Sequence, residues 1–211
     1  MQAILFALIS YLGWGTGDIF GTIATRKIGG YSTTLYYLVF QLLIFIPLAL
    51  FFTSDLKNLT FNIILLNLLL GAIGTVGLIA FYQGLKIANA SLVGTISSSF
   101  AALTVVLSII FLKESVSLAQ AFSIVLIFIG IVISGLDFKE LQDKKLVINK
   151  GVLLAFVAMI TWGIYWAFIK IPVREIGWYW PGIISMSTFP AILLFMKINN
   201  LRLEILMSKV L

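Results

Sequence analysis

Long uncharged segments constrain this sequence more than any other feature. A bilayer core of about 30 Å is crossed by about 20 helical residues, each adding about 1.5 Å. Seven segments of about that length contain at most one charged residue, and we interpret each as a membrane-spanning helix. They are residues 1–25, 28–54, 58–85, 87–112, 115–136, 151–169 and 176–196. The sequence therefore predicts an all-α integral membrane protein, a polytopic bundle of about seven transmembrane helices.

The composition agrees with a membrane environment. Hydrophobic residues make up 61% of the 211 residues and charged residues only 10%, whereas soluble domains carry about 25% charged residues. Helical spans of this length argue against an outer-membrane β-barrel, whose strands alternate over about 10 residues. The first apolar segment lacks a basic start and a small-residue cleavage site, so we interpret it as a retained helix rather than a signal peptide.

The sequence contains no cysteine and no histidine. Disulfide bonds, thiolate nucleophiles, imidazole bases and the usual zinc sites are therefore excluded. We accordingly expect no metal site, no cofactor and no catalytic residues, and hence a protein that is not an enzyme.

The net charge of +6 comes from 14 basic residues against 8 acidic ones. Their placement in short segments between the spans is typical of positive-inside retention rather than of nucleic-acid binding. Ten fall on one predicted side, namely Arg26, Lys27, Lys86, Lys139, Lys144, Lys145, Lys150, Lys197, Arg202 and Lys209. Four fall on the other side, namely Lys57, Lys113, Lys170 and Arg174. We therefore expect a multi-pass plasma-membrane protein with the charged linker 137–150 in the cytoplasm and the N-terminus outside.

The chain contains an internal repeat at an offset of 148 residues, without gaps. Trp14 and Gly15 align with Trp162 and Gly163, and the match continues into the segment after the helix. The further identical pairs are Leu5 and Leu153, Ala7 and Ala155, Phe20 and Phe168, Arg26 and Arg174, Ile28 and Ile176, Gly29 and Gly177, and Tyr31 and Tyr179. Because five predicted helices separate the two starts, the copies run in opposite directions across the bilayer. Inverted repeats are typical of secondary transporters, which bind solute near the midplane between two halves.

The repeat also predicts how the chain is organised. Residues 1–136 form a first five-helix unit, residues 137–150 the linker, and residues 151–211 the first two helices of a second unit. Three further helices are needed to complete the second unit, so we expect this chain not to transport alone. The partner would be a missing C-terminal half or a second copy in a homo-oligomer.

Four short motifs follow one another between Ala80 and Ser115. They are Tyr82-Gln83-Gly84-Leu85-Lys86, Ala88-Asn89-Ala90-Ser91-Leu92-Val93, Ser97-Ser98-Ser99-Phe100 and Phe111-Leu112-Lys113-Glu114-Ser115. Together with the two Trp-Gly pairs, this pattern resembles the EamA-type members of the drug/metabolite transporter superfamily. The resemblance implies two five-helix halves and transport of a small metabolite or drug-like solute. Family members are drawn with cytosolic termini, in contrast to the external N-terminus that the charges favour.

Polar and aromatic residues inside the spans are the candidates for a solute cavity. Trp14 and Trp162 lie too deep for the interfacial belt, and they either flank a cavity or pack in the core. Gln41 and Asn67 are amides that need partners within the bilayer, either in other helices or in a wet cavity. Ser98 lies on a small-residue helix face, which serves either close helix packing or a contact with solute.

Asp18 is the single acidic residue within a span, and it lies one turn after Trp14 on the same helix face. We predict that these two residues form one face of the cavity and that Ser98 lies opposite. A carboxylate within the bilayer suggests coupling to protons. The alternative is a hydrated or paired structural carboxylate near the end of its helix.

Two other classes of function remain open. Gly15-Thr16-Gly17-Asp18 matches the GxGD signature of intramembrane aspartyl proteases, but aspartic catalysis needs two adjacent carboxylates. The other aspartates are predicted outside the spans, which argues against this class. The second alternative is a non-transporting assembly or sensor subunit. The interpretation we favour is a transporter or permease that works by alternating access, with the lipid bilayer and a small-molecule solute as partners and no nucleic acid.

Overall fold

The computed structural model describes residues 2–135 and 150–204, and regular structure within these ranges is entirely helical. The helices are α1 (Gln2–Ile28), α2 (Gly30–Phe45), α3 (Phe61–Ile87), α4 (Ala90–Ser98), α5 (Phe100–Leu112), α6 (Leu118–Gly135), α7 (Lys150–Phe168), α8 (Lys170–Ile176), α9 (Tyr179–Met186) and α10 (Phe189–Ile198). Two short 3-10 helices, Ile46–Phe51 and Thr53–Asn58, connect α2 to α3. The predicted all-α fold is confirmed. The predicted linker lies outside the described residues except for Lys150, which begins α7.

Six segments of the described chain are long and apolar enough to cross a membrane. They are Ile4–Ile28, Gly30–Phe51, Phe61–Ile87, Ala90–Leu112, Lys150–Ile176 and Tyr179–Ile198. They correspond to six of the seven predicted spans and confirm a multi-pass membrane protein. The remaining predicted span, residues 115–136, corresponds to α6 (Leu118–Gly135), which contains no charged residue.

Side-chain caps define where several helices begin. Thr60 caps α3 and Asn89 caps α4, each with a side-chain oxygen that accepts a backbone N–H of the first turn. Ser117 and Gln120 form a reciprocal capping box at the start of α6. The Ser117 N–H donates to Gln120 Oε1 at 2.9 Å, and the Gln120 N–H donates to Ser117 Oγ at 3.3 Å. The short connections between spans are therefore encoded locally.

Prolines explain where three helices end. A proline has no N–H to donate to the carbonyl four residues earlier. Pro172 lies four residues after Phe168, where α7 ends, and Pro190 lies four residues after Met186, where α9 ends. Pro47 stands near the start of the 3-10 helix that follows α2. Two of the spans are consequently interrupted helices, α7 with α8 and α9 with α10.

The basic residues at the end of the sixth predicted span depart from expectation. Lys170 and Arg174 were predicted between spans, but both lie within α8, which continues the helix to Ile176. The prediction was wrong because their charge ended the apolar run, although long basic side chains can reach a polar partner from a helix end. Both side chains bind the carboxylate of Glu114.

The 148-residue offset is visible in the helix boundaries. Ile28 ends α1, and Ile176, which lies 148 positions later, ends α8, the helix that continues α7. The next residues, Gly29 (φ 80°) and Gly177 (φ 68°), both adopt positive φ, which glycine takes without steric cost. The same residues therefore produce the same local structure in both copies. The direction of each copy across the bilayer stays a prediction.

The central helix of the bundle is α3, which contacts α1, α2, α4, α7 and α9 and packs most extensively on α7. Glycines allow this approach. A Cβ added at Gly77 on α3 would lie 2.5 Å from Thr161 Oγ1. A Cβ added at Gly163 on α7 would lie 2.6 Å from Leu103 Cδ2 on α5. Small residues at helix contacts are a common means of association within membranes.

Candidate functional site

Trp162 lies at the centre of the contact between α3 and α7. Its indole Nε1 donates a hydrogen bond of 3.2 Å to the carbonyl oxygen of Gly74. Its half-buried ring packs 5.1 Å from Phe81 and 5.8 Å from Phe100, measured between centroids. The indole N–H is thus satisfied by a hydrogen bond within the bundle. Only the apolar ring face of Trp162 is available to line a cavity.

Aromatic rings continue on both sides of Trp162 across four helices. Neighbouring rings are separated by 5.1 to 6.4 Å between centroids. In order, they are Tyr37 on α2, Tyr82 and Phe81 on α3, Trp162 on α7, Phe100 on α5, and Trp166 and Tyr165 on α7. We call these seven residues the aromatic path. Such a surface suits planar and apolar groups.

The α2 end of the aromatic path carries polar groups. Gln41 donates its Nε2 to the Tyr37 hydroxyl at 2.9 Å. On α1, Gly21 lies against Tyr82, whose Cε1 would be 2.9 Å from an added Cβ. Asp18 lies one turn before Gly21 on the same side of α1, within electrostatic range of the Tyr37 and Tyr82 phenols. We call Asp18, Tyr37, Gln41 and Tyr82 the polar cluster.

Trp14 lies on the same face of α1 as Asp18 but in different surroundings from Trp162. Its side chain is 53% exposed, and every residue from 4 to 20 is exposed. A Cβ added at Gly13, Gly15 or Gly17 would meet no described atom within 4 Å. The two repeat-related helices therefore differ in their surroundings. Other helices enclose α7, whereas the first part of α1 is exposed within the described chain, and we call this part bare.

Ser98 and Asn67 both hydrogen-bond to main-chain carbonyls. The Ser98 hydroxyl donates to the carbonyl oxygen of Thr95 at 3.0 Å. The fully buried Asn67 donates its Nδ2 to the carbonyl oxygen of Pro181 at 2.9 Å, which joins α3 to α9. Its Oδ1 has no hydrogen-bond partner among the described residues. The structure thus places Asp18 and Gln41 in the polar cluster and Asn67 at a helix contact. A cavity role stays a prediction for all six candidates, namely Trp14, Asp18, Gln41, Asn67, Ser98 and Trp162.

The sequence interpretation overlooked several residues of the aromatic path. Tyr37 lies four residues before Gln41, a helical spacing that brings side chains together. Tyr82 opens one of the motifs quoted above, and Trp166 occupies the repeat position of Asp18. These signals were present, but the contacts between helices were needed to assemble them into one site.

A second polar group joins the end of α5 to α8. Glu114 accepts hydrogen bonds from Lys170 Nζ at 2.8 Å and from Arg174 Nη2 at 3.2 Å. Lys170 also donates to the hydroxyl of the buried Ser108 at 3.0 Å. Lys113, with φ 56°, ends α5 in the left-handed conformation just before Glu114. We call Ser108, Glu114, Lys170 and Arg174 the charged cluster.

The fold and these sites define a polytopic helical membrane protein with polar and aromatic groups between its spans. The chain belongs to the EamA-like transporter family, whose family model matches residues 1–136. This confirms the resemblance seen in the motifs and identifies the chain as a membrane transporter or permease of the drug/metabolite superfamily. An uncharacterised protein of Methanocaldococcus jannaschii is 33% identical over 134 residues, which are 62% of this chain and 94% of that protein. No solved structure matches the chain significantly.

Proposed function

We propose that this protein is a secondary transporter that moves a small solute by alternating access and binds it between the polar cluster and the aromatic path. One observation carries the proposal. In a chain of this transporter family, Asp18, the only carboxylate predicted inside a span, lies within electrostatic range of the Tyr37 and Tyr82 phenols, and Tyr37 is hydrogen-bonded to Gln41. Polar groups within the hydrocarbon core are costly, and their usual role is to contact solutes or ions.

The chemistry of the two surfaces limits the solute class. The aromatic path offers ring faces, and the polar cluster offers a carboxylate, an amide and phenol hydroxyls. A carboxylate attracts cations, and ring faces attract both planar groups and cations. We therefore infer a neutral or cationic solute with a planar or apolar part, rather than a phosphorylated one, which favours arginine.

Proton coupling is the proposed role of Asp18. Solute and proton would either compete for the polar cluster or bind to it together. Protonation of Asp18 would then shift the equilibrium between the state that opens to one side of the membrane and the state that opens to the other. A ligand shifts such an equilibrium only by its differential affinity for the two states. Asp18 would meet that requirement by binding a proton more tightly in one of the two states.

We further propose that a second set of helices covers the bare part of α1. The repeat counterparts of Ala7, Ser10 and Gly15 are Ala155, Ala158 and Gly163, which are buried in the enclosed α7. The side chains that enclose α7 belong mainly to α3, α4 and α5. Because α1 and α7 are repeat counterparts, we infer that α1 packs against the corresponding helices of a second EamA-type unit, which would also present glycines at the contact. It would be supplied by further chain or by a second copy.

Solute exchange in liposomes tests this proposed function. We expect a ten-helix version to exchange a radiolabelled solute chosen from a panel of amino acids, nucleosides and planar organic cations. The 211-residue chain alone should exchange far less, because one wall of the site is open at α1.

Two outcomes would contradict the proposal. Exchange by the 211-residue chain at the rate of the ten-helix version, in a sample shown to be monomeric by light scattering, would show that α1 needs no cover. A ten-helix version that is folded yet exchanges nothing in the panel, and is stabilised against heat by none of it, would remove the support for the proposed solute class.

A further inference from the structure

A groove between α5 and α6 runs inward from the charged cluster along the outside of the bundle. Its volume of about 450 Å³ falls within the size range of small-molecule sites. Val105 and Ile109 of α5 and Ile124 of α6 are apolar lining residues, and Ser108, Glu114 and Lys170 form a polar end. Gln120 and Ser123, in the first two turns of α6, add polar groups on the other wall. We call this space the α5–α6 groove. It contains no residue of the polar cluster, so it is separate from the proposed solute site.

The α5 side of the groove changes from polar near the membrane boundary to apolar further into the membrane. Glu114 lies just beyond Leu112, where α5 ends, so the polar end lies near the membrane boundary of this span. Ser108 lies about one turn further in, and Val105 lies about one more turn inward. A ligand that fits this order has a polar headgroup and an apolar tail.

The charge at the polar end favours an anion. Lys170 and Arg174 share the single carboxylate of Glu114, which leaves one positive charge unbalanced within the charged cluster. The Arg174 side chain is 64% exposed and uses Nη2 for Glu114. Its remaining guanidinium N–H groups match the oxygens of a phosphate, for which arginine is the preferred side chain.

The position of the groove favours a lipid over a water-borne solute. Ile109 is 42% exposed, and Phe122 on the neighbouring α6 is 66% exposed. These apolar side chains face outward from the bundle, where the acyl chains of the bilayer lie. Basic pockets between transmembrane helices are known to bind the headgroups of anionic lipids on the cytoplasmic side, and the same charge complementarity applies to this cluster, which the basic residues predict on the opposite side.

We propose that the α5–α6 groove binds an anionic phospholipid. Its phosphate lies at Arg174 and Lys170, and one acyl chain runs along Val105 and Ile109. Because Lys170 and Arg174 belong to the second repeat and the groove to the first, the bound lipid bridges α5, α6 and α8. This inference does not depend on the proposed solute site.

Native mass spectrometry of the 211-residue chain tests the proposal. The protein is released from detergent after equilibration with equal amounts of phosphatidylglycerol and phosphatidylcholine that carry the same acyl chains. We expect retention of phosphatidylglycerol to exceed that of phosphatidylcholine by about fivefold or more, since each basic residue contributes on this scale to anionic-lipid binding. Arg174→Gln should bring the ratio close to one while leaving the Lys170–Glu114 pair intact.

Two further variants distinguish this groove from general surface charge. Lys57→Gln removes an exposed basic residue from the segment between α2 and α3, and it should leave the ratio unchanged. Val105→Trp fills the groove without a change of charge and should reduce the retention of phosphatidylglycerol. Size-exclusion profiles and circular dichroism establish that each variant is folded.

Several results would overturn the proposal. One is equal retention of both lipids by the parent, and another is a preference for phosphatidylglycerol that is undiminished in Arg174→Gln. A fall of the retention ratio in Lys57→Gln as large as that in Arg174→Gln, or unchanged retention of phosphatidylglycerol in Val105→Trp, would have the same consequence. Displacement of phosphatidylglycerol by inorganic phosphate at equal concentration would show that the cluster binds a free anion and not a lipid. A preference that is lost in Arg174→Gln, kept in Lys57→Gln and not displaced by phosphate, together with reduced retention of phosphatidylglycerol in Val105→Trp, would support a lipid in the groove.

Discussion

Gly163→Val is expected to lower the free energy of unfolding by about 1–3 kcal/mol, the cost typical of forcing extra atoms into a packed core. A Cβ at this position would lie 2.6 Å from Leu103 Cδ2 and 2.7 Å from Leu103 Cγ. Leu103 must therefore leave its packed position or α7 must move away from α5. A movement of α7 would also strain the hydrogen bond of 3.3 Å from Thr104 Oγ1 to the Gly163 carbonyl. Unfolding of the 211-residue chain in mixed micelles, followed by tryptophan fluorescence, measures the change.

Gly15→Val is the matched control, because Gly15 occupies the same position in the other copy of the repeat. An added Cβ at Gly15 meets no described atom within 4 Å, so the same substitution should change the unfolding free energy little. Equal destabilisation by the two variants would contradict the description of α1 as bare. In a ten-helix version, in which the proposed second unit covers α1, Gly15→Val should become as disruptive as Gly163→Val.

Asp18→Asn is expected to abolish the response of transport to a pH gradient in the ten-helix version. The amide keeps the size and shape of the carboxylate and resembles its protonated form, with one acceptor oxygen and one donor group, but it cannot gain or lose a proton in this range. Solute should still bind, because Tyr37, Gln41 and the aromatic path are unchanged. Solute exchange in liposomes, measured with and without a pH gradient, gives the response, and stabilisation by solute against heat gives the binding.

Asp55→Asn provides the control for a general effect of lost charge. Asp55 lies in the 3-10 helix between α2 and α3, outside the spans, and its substitution should leave the pH response intact. An Asp18→Asn protein that binds solute and still responds fully to the gradient would show that Asp18 is a structural carboxylate near a helix end. Proton coupling would then be wrong, although the solute site would remain.

Apolar runs and the repeat allowed the helices to be predicted well from the sequence. Hydropathy locates a span because the bilayer has a fixed thickness, and the chain must satisfy its backbone hydrogen bonds within that thickness. The repeat anticipated that Gly29 and Gly177 stand at equivalent positions, and both adopt positive φ. Local chemistry, as in the capping of α6 by Ser117, then fixes where helices start.

The candidate site was predicted only in part, because it depends on which helices touch. Asp18 and Gln41 were identified as polar residues in the bilayer, and the pairing of Gln41 with Tyr37 follows from helical spacing within α2. The approach of Asp18 to Tyr37 and Tyr82 depends on the packing of α1 against α2 and α3. Trp14 and Trp162 look alike in sequence, yet only Trp162 is held in the bundle by a hydrogen bond to Gly74. Identical residues acquire different surroundings when different helices pack against them.

The charged cluster was missed for a related reason. Lys170 and Glu114 are separated by 56 positions in the chain, and their pairing depends on the packing of α7 on α5 and on the turn after Lys113. Charge counting assigned both Lys170 and Arg174 to connections between spans, where they were considered only as determinants of orientation. The contact with Glu114, which neutralises one of their two positive charges, is a tertiary one that no local pattern reveals.

The accessibility of a cysteine at Gln41 tests the central claim most directly, namely that the polar cluster lines a solute cavity within the membrane. Because the chain contains no cysteine, Gln41→Cys and the control Leu43→Cys each introduce a single thiol on α2. Leu43 is 60% exposed on the outside of the bundle, where lipid surrounds it and a thiolate does not form. We predict that a water-soluble thiol reagent labels Gln41→Cys in membranes and that solute slows this labelling. The control Leu43→Cys should stay unlabelled. Absence of labelling at Gln41→Cys in a folded protein, or equal labelling at both positions, would contradict it.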